Sequence, residues 1–136
     1  LFLSSALEFI EKKKNKMIKL IIDAVSENIF FTIIGNKNTY NVSHENSKNN
    51  YEKLIILVKD FLCSKSLNLN DISSIYVNRG PGSFAGIRNS ISVAKALHLS
   101  QKIDYYCFSF QDFKNENNIK NENIPICAIN LMLKKI

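Results

Sequence analysis

The chain has 136 residues, 46% of them hydrophobic, and a formal net charge of +6. That length suits one domain, able to bury about two thirds of its unfolded surface, so a normal core is expected. No run approaches the ~20 apolar residues of a membrane span, and Cys63, Cys107 and Cys127 stand too far apart for a C-x-x-C motif, which points to reduced thiols in a cytoplasm.

The basic excess sits at the ends. Between Met17 and Leu133 there are 12 Lys/Arg against 10 Asp/Glu. The surplus is Lys12, Lys13, Lys14, Lys16, Lys134 and Lys135, against Glu8 and Glu11. Such ends read as solvated tails rather than as a nucleic-acid footprint.

Residues 1–16 read as an extension or a fragment edge. Leu1 to Ile10 is apolar but is followed by Lys12-Lys13-Lys14, and a signal peptide carries its charge on the other side. Phe2, Leu3, Ala6, Leu7 and Ile10 have the spacing of a short helix. Ile18 to Ile22 is nearly all apolar, as in a strand covered on both faces. Asn28 to Ile34 reads as a second strand, Gly35-Asn36-Lys37-Asn38 as a turn, and Thr39 to Ser43 as an edge strand. The connections are too short for helical crossovers, so these three strands should be antiparallel neighbours.

Asn49 to Lys65 predicts a helix, with Asn49 as cap and Glu52 three residues on, as in a capping box. Tyr51, Leu54, Ile55, Val58, Phe61 and Leu62 form its stripe. Ile72, Ile75, Tyr76 and Val77 then read as a strand. A second helix follows, with Phe84, Ile87, Ile91, Ala94 and Leu97 on one face. Val93, Ala96 and Ala85 lie outside that face. Two helices with surplus small and apolar surface suggest a partner, or packing on each other. Tyr51, Leu54, Val58, Phe61, Ile87, Ile91, Ala94 and Leu97 are the expected partner face. Ile103 to Phe108 is a further strand. Lys114 to Asn123 is a polar linker that cannot bury a core. The expected units are therefore 17–113, the linker 114–123 and the start of a second unit at 124–136.

The corner between the strand and the second helix carries the most information. It reads Gly80-Pro81-Gly82-Ser83-Phe84-Ala85-Gly86-Ile87-Arg88. Glycine allows positive φ and close backbone approach, proline fixes φ, and Ser83 is placed to cap the helix. Gly80-x-Gly82-x-x-Ala85 fits a dinucleotide fingerprint literally, with Asp104 about 20 residues on, although that fingerprint belongs after a first strand. A P-loop fails, because no Gly-Lys-Ser/Thr follows, and the spacing of a G-x-S-x-G elbow is not met. A tight turn without a ligand remains the plain alternative.

Gly80 to Arg88 resembles the GPGSFTGLR signature of the bacterial TsaB family, also called YeaZ. Met17 to Ala24 resembles that family's opening strand, Ala94-Lys95-Ala96-Leu97 its signature helix, and Cys107-Phe108-Ser109-Phe110 the short strand and Ser-containing helix start that follow. The resemblance covers roughly Met17 to Asp112. Ala85 stands where the family usually has Thr, and Asp23-Ala24-Val25-Ser26 replaces the usual Asp-Thr-Ser. The second half of such a chain is missing.

The resemblance implies a ribonuclease H-like α/β fold of the actin-like superfamily. It would have a mixed five-stranded sheet, its first three strands antiparallel, with helices packed on it. It implies a non-catalytic dimerisation subunit. That subunit supports a TsaD-like enzyme in making threonylcarbamoyladenosine beside the anticodon of tRNA. A TsaE-like ATPase is reached through the complex, tRNA is met only indirectly, and a homodimer is allowed. No cofactor is expected on this chain; ATP belongs to the partner complex. The alternative is a truncated catalytic relative, a TsaD-like transferase or a sugar-kinase-like ATPase. His44, expected in a loop, and His98, at the helix end, form no H-x-x-x-H or H-E-x-x-H, so no metal site is expected. Asp23 reads as a turn former without glycines to cradle a phosphate. Ser83 has no base near it in sequence, which favours a cap over a nucleophile. Arg88, outside the apolar stripe, is either solvated or paired with a partner carboxylate.

Overall fold

The computed structural model describes residues 18–109. The expected extension 1–16, linker 114–123 and second unit from 124 lie outside them. Five strands form one sheet in the order β3-β2-β1-β4-β5. β1 (Ile18–Asp23) pairs antiparallel with β2 (Asn28–Ile34), and β2 with β3 (Thr39–Glu45). β4 (Ile72–Asn78) and β5 (Asp104–Phe108) run parallel to β1. The three antiparallel strands and the mixed sheet are as expected.

The strands alternate two faces, and register fixes which side chains share one. Leu20 lies beside Ile33 and Ile75, and Ile22 beside Phe31 and Val77. This face meets the helices. Its core joins Leu20, Ile22, Phe31, Ile33, Ile75 and Val77 to Leu54, Val58, Leu62, Ala94 and Leu97. The other face carries Ile21, Thr32, Ser74 and Tyr76, also buried, with Tyr76 stacked on Tyr106.

The first helix departs from expectation. It is two helices, α1 (Lys48–Glu52) and α2 (Leu54–Ser64), broken at Lys53. Ser47 is the cap of α1, because its hydroxyl accepts the Asn50 N–H. Asn49 lies inside the helix instead. α1 buries no side chain fully, whereas α2 lays Leu54, Val58, Phe61 and Leu62 into the core. Lys53, with φ −112° and ψ 29°, leaves the helical region and separates the two. Each of those four apolar side chains stabilises the fold by about 1.5–3 kcal/mol.

β3 also runs two residues further than expected, to Glu45. His44 is therefore a strand residue, paired with Ile29, and its ring lies 5.7 Å from that of Phe31. A short 3₁₀ turn (Leu69–Asp71), with an Asn68–Asp71 capping box, leads into β4. α3 (Phe84–Gln101) carries the chain back to β5. It ends at Lys102, whose φ of +56° and bond to the His98 carbonyl close the helix. His98 Nδ1 donates to the Ile103 carbonyl at 2.9 Å, so the ring pins the turn that starts β5.

Candidate functional site

The carboxyl ends of β1, β4 and β5 meet at one edge of the sheet, and the glycine-rich corner sits there. Asp23 ends β1 beside Asn78, which ends β4. Both are buried. Asn78 Oδ1 accepts the Gly80 N–H at 2.9 Å and so starts the turn. Asp23 Oδ1 receives the Val25 N–H at 3.4 Å, which makes Asp23 the turn former expected. Burial raises the Asp23 carboxyl above its ordinary value, while the Val25 N–H and the Asn78 amide pull it down. The Asn78 amide nitrogen is turned to Asp23 yet completes no hydrogen bond of ordinary geometry among the described residues.

The corner then closes on the loop after β1. The Ser83 N–H donates to the Val25 carbonyl at 2.8 Å. The Ser83 hydroxyl accepts the Gly86 N–H at 3.1 Å and caps α3. Gly82 and Gly86 have no room for a side chain, because a Cβ would overlap the Val25 and Ala24 carbonyls respectively. Gly80 has a φ of +111°, in the region that favours glycine, and Ile87 packs over it. Asn46 holds the same loop from the other side, donating to the carbonyls of Ala24 at 3.0 Å and Ser26 at 2.6 Å.

This arrangement answers the competing readings of the corner. The close approach that the glycines permit is of protein on protein. A dinucleotide fingerprint uses that room for a pyrophosphate, and here the Ala24–Val25 backbone fills it. The Ser83 hydroxyl is engaged as a cap. Pro81, Phe84 and Arg88 point to solvent on the rim of the turn.

The expected partner face divides in two. Leu54, Val58, Phe61, Ala94 and Leu97 are buried in the chain's own core and are not a surface. An apolar stripe at helical spacing looks the same whether a sheet or a partner covers it. Tyr51, Ile87 and Ile91 are half-buried. The surface that α1, α2 and α3 leave open is a groove of about 410 Å³, with Tyr51, Ile55, Asn89, Val93, Ala96 and Ser100 along it. Val93 and Ala96 are the residues that fell outside the main stripe of α3, so their signal was present in the sequence. Asn46 and Asn78 carried none: no motif marks them, and their partners lie across the fold or within the turn.

Among the described residues, no helix is long and apolar enough to cross a membrane. Residues 37–129 match the family model described as TsaD, tRNA N6-adenosine threonylcarbamoyltransferase. The chain is 32% identical over 92 residues to the tRNA threonylcarbamoyladenosine biosynthesis protein TsaB of Buchnera aphidicola from Schizaphis graminum, covering 68% of this chain and 44% of that one. It is 35% identical over 52 residues to the TsaB protein of Escherichia coli K12, covering 38% and 22%. The chain thus spans less than half the length of these relatives. In structure it is similar to YeaZ from Pseudomonas aeruginosa, with a TM-score of 0.62 at 19% identity, over 73% of this chain and 49% of that one. It is also similar to Thermus thermophilus RuvC in complex with a Holliday junction substrate, with a TM-score of 0.50 at 9% identity, over 72% and 68%. Those two likenesses establish a ribonuclease H-like fold.

Proposed function

Since the chain belongs to the family matched by the TsaD model, on its TsaB (YeaZ) branch, we propose that it is a partner-binding subunit in the threonylcarbamoyladenosine modification of tRNA. It performs no chemistry itself. It presents a rigid helix face to a TsaD-type subunit, which holds the reacting groups. A TsaE-type ATPase is reached through that complex, and tRNA through the partner.

The observation that supports this reading is the groove between α1–α2 and α3, lined by Val93, Ala96, Tyr51 and Ile55. Small side chains on a helix let a second helix approach closely, which suits packing of ridges into grooves. The corner at Gly80–Gly86 fixes that groove. It ties the start of α3 to the loop after β1 through Ser83, Gly82 and Gly86, so the helix cannot slide on the sheet. Preorganisation of this kind lowers the ordering cost of binding.

The alternative, a catalytic member of the superfamily, is supported less well. Its phosphate loop would need free backbone N–H groups. Here the Ser83 and Gly86 N–H groups are already hydrogen-bonded within the chain, and Gly82 and Gly86 pack on the Val25 and Ala24 carbonyls. Reconstituted modification tests the two readings. A TsaD-type subunit, a TsaE-type ATPase and tRNA should form threonylcarbamoyladenosine only when this chain is added. This chain with tRNA and ATP alone should form none; turnover by it alone would favour the alternative.

A further inference from the structure

α1 gives the groove Tyr51 and Glu52, yet it buries none of its side chains fully. It is five residues long, and a helix that short is not stable by itself. Polar contacts around its first turn hold it. The Ser47 hydroxyl accepts the Asn50 N–H, and the Asn50 side-chain amide donates to the Glu45 carbonyl at 2.7 Å. The residue before that cap is Asn46.

Asn46 reaches across the fold. Its backbone N–H donates to the Glu27 carbonyl at 2.9 Å. Its side-chain amide donates to the Ala24 carbonyl at 3.0 Å and to the Ser26 carbonyl at 2.6 Å. The Ala24 carbonyl is also the group against which Gly86 of α3 rests. One peptide oxygen therefore joins α3 to the residue from which α1 grows. α3 supplies Asn89, Val93 and Ala96 to the same groove, while Asn46 does not line it.

We propose that Asn46 is a positioning residue for the groove: its amide sets where α1 stands relative to α3. The inference rests on the reading of that groove as a partner site. Without the amide, the Ala24 carbonyl keeps its contact with Gly86 but loses its tie to α1. α1 then leaves its place for part of the time. A partner that needs α1 in place binds more weakly by the fraction of time that it is absent.

Two measurements on the whole chain test it. In NMR relaxation, the backbone order parameters of Asn50 and Tyr51 should stand near the rigid value of about 0.85 in wild type. Asn46→Ala should lower them toward about 0.6, with those of Val93 and Ala96 in α3 unchanged. The second measurement is affinity for the TsaD-type subunit, at a temperature where each form is fully folded. Asn46→Ala should lose at least about fivefold, which corresponds to α1 in place about one fifth of the time. Asn46→Ser, which keeps a donor but shortens its reach, is the milder second variant and should move both readings the same way. Asn68→Ala is the comparison. It removes the cap of the 3₁₀ turn before β4, outside the groove, and so weakens the fold without touching α1. It should leave both readings at wild type. Unchanged order parameters in Asn46→Ala would overturn the inference, as would an equal loss of affinity in Asn46→Ala and Asn68→Ala. A loosened α1 with wild-type affinity would overturn it too and leave the proposed function standing. Wild type that does not bind would count against the proposed function, and the order parameters alone would then decide whether Asn46 holds α1.

Discussion

Gly86 lies directly against the Ala24 carbonyl, so that a Cβ at position 86 would overlap that oxygen. Helix propensity alone predicts that Gly86→Ala stabilises α3 by about 1 kcal/mol. The contact predicts the opposite sign. Overpacking against backbone costs about 1–3 kcal/mol and outweighs the gain. Against a fixed backbone oxygen the cost lies at the upper end of that range, a net loss of about 2 kcal/mol, so the melting temperature should fall by roughly 8–16 °C at about 4–8 °C per kcal/mol for a domain of this size. A rise on thermal melting would show that α3 stands further from β1 than described.

Ser83→Ala tests the cap. The hydroxyl accepts the Gly86 N–H at 3.1 Å. Its loss leaves that donor unpaired and should lower unfolding free energy by about 1 kcal/mol, within a range of roughly 0.5–2. Urea titration reads this as a lower midpoint at constant slope. No change would mean that water caps the helix equally well.

Much of the fold is legible in the amino-acid sequence. Alternating or continuous apolar runs marked all five strands, and Gly35-Asn36 marked the turn between β2 and β3. The break at Lys53 was not legible, since no Gly or Pro announces it and Tyr51 and Leu54 fit one helical stripe. The corner was legible as a corner, and Ser83 as its cap. What the glycines touch was not, because Ala24 and Gly86 are far apart in sequence and their contact follows from the parallel pairing of β1 and β4. The partner face was half legible. Periodicity found Leu54, Val58 and Ala94, but cannot tell a sheet from a partner, and the sheet took them.

Leu54→Asp and Ala96→Glu separate those two roles. Leu54 is 1% exposed in the core, so an unpaired charge there should prevent folding. Ala96 is exposed in the groove. Ala96→Glu should leave the circular dichroism melt within about 0.5 kcal/mol of wild type, as a surface change does. It should nonetheless weaken partner binding. A folded L54D chain would contradict the assignment of the core.

Asp23 predicts a pH dependence with a definite sign. Burial is the largest influence and raises its carboxyl above the ordinary 3.8. The folded chain therefore holds the proton more tightly than the unfolded chain. The stabilisation this gives is complete below the unfolded pKa and is lost as pH rises through the folded pKa. D23N removes the titration while keeping the shape. The stability of wild type relative to D23N should fall as pH rises from about 3.8 toward neutrality. Parallel urea titrations read it directly. A difference that is flat or rises with pH would place the carboxyl in a solvated or ion-paired site instead.

We propose that this chain works by binding a TsaD-type subunit through α1–α3. Size-exclusion chromatography with light scattering, on the chain alone and mixed with the TsaD-type subunit of its own source, decides it. A one-to-one complex that Ala96→Glu weakens is the predicted result. A chain that is folded and monomeric by the same measurement, yet leaves the TsaD-type subunit unbound, would contradict the claim.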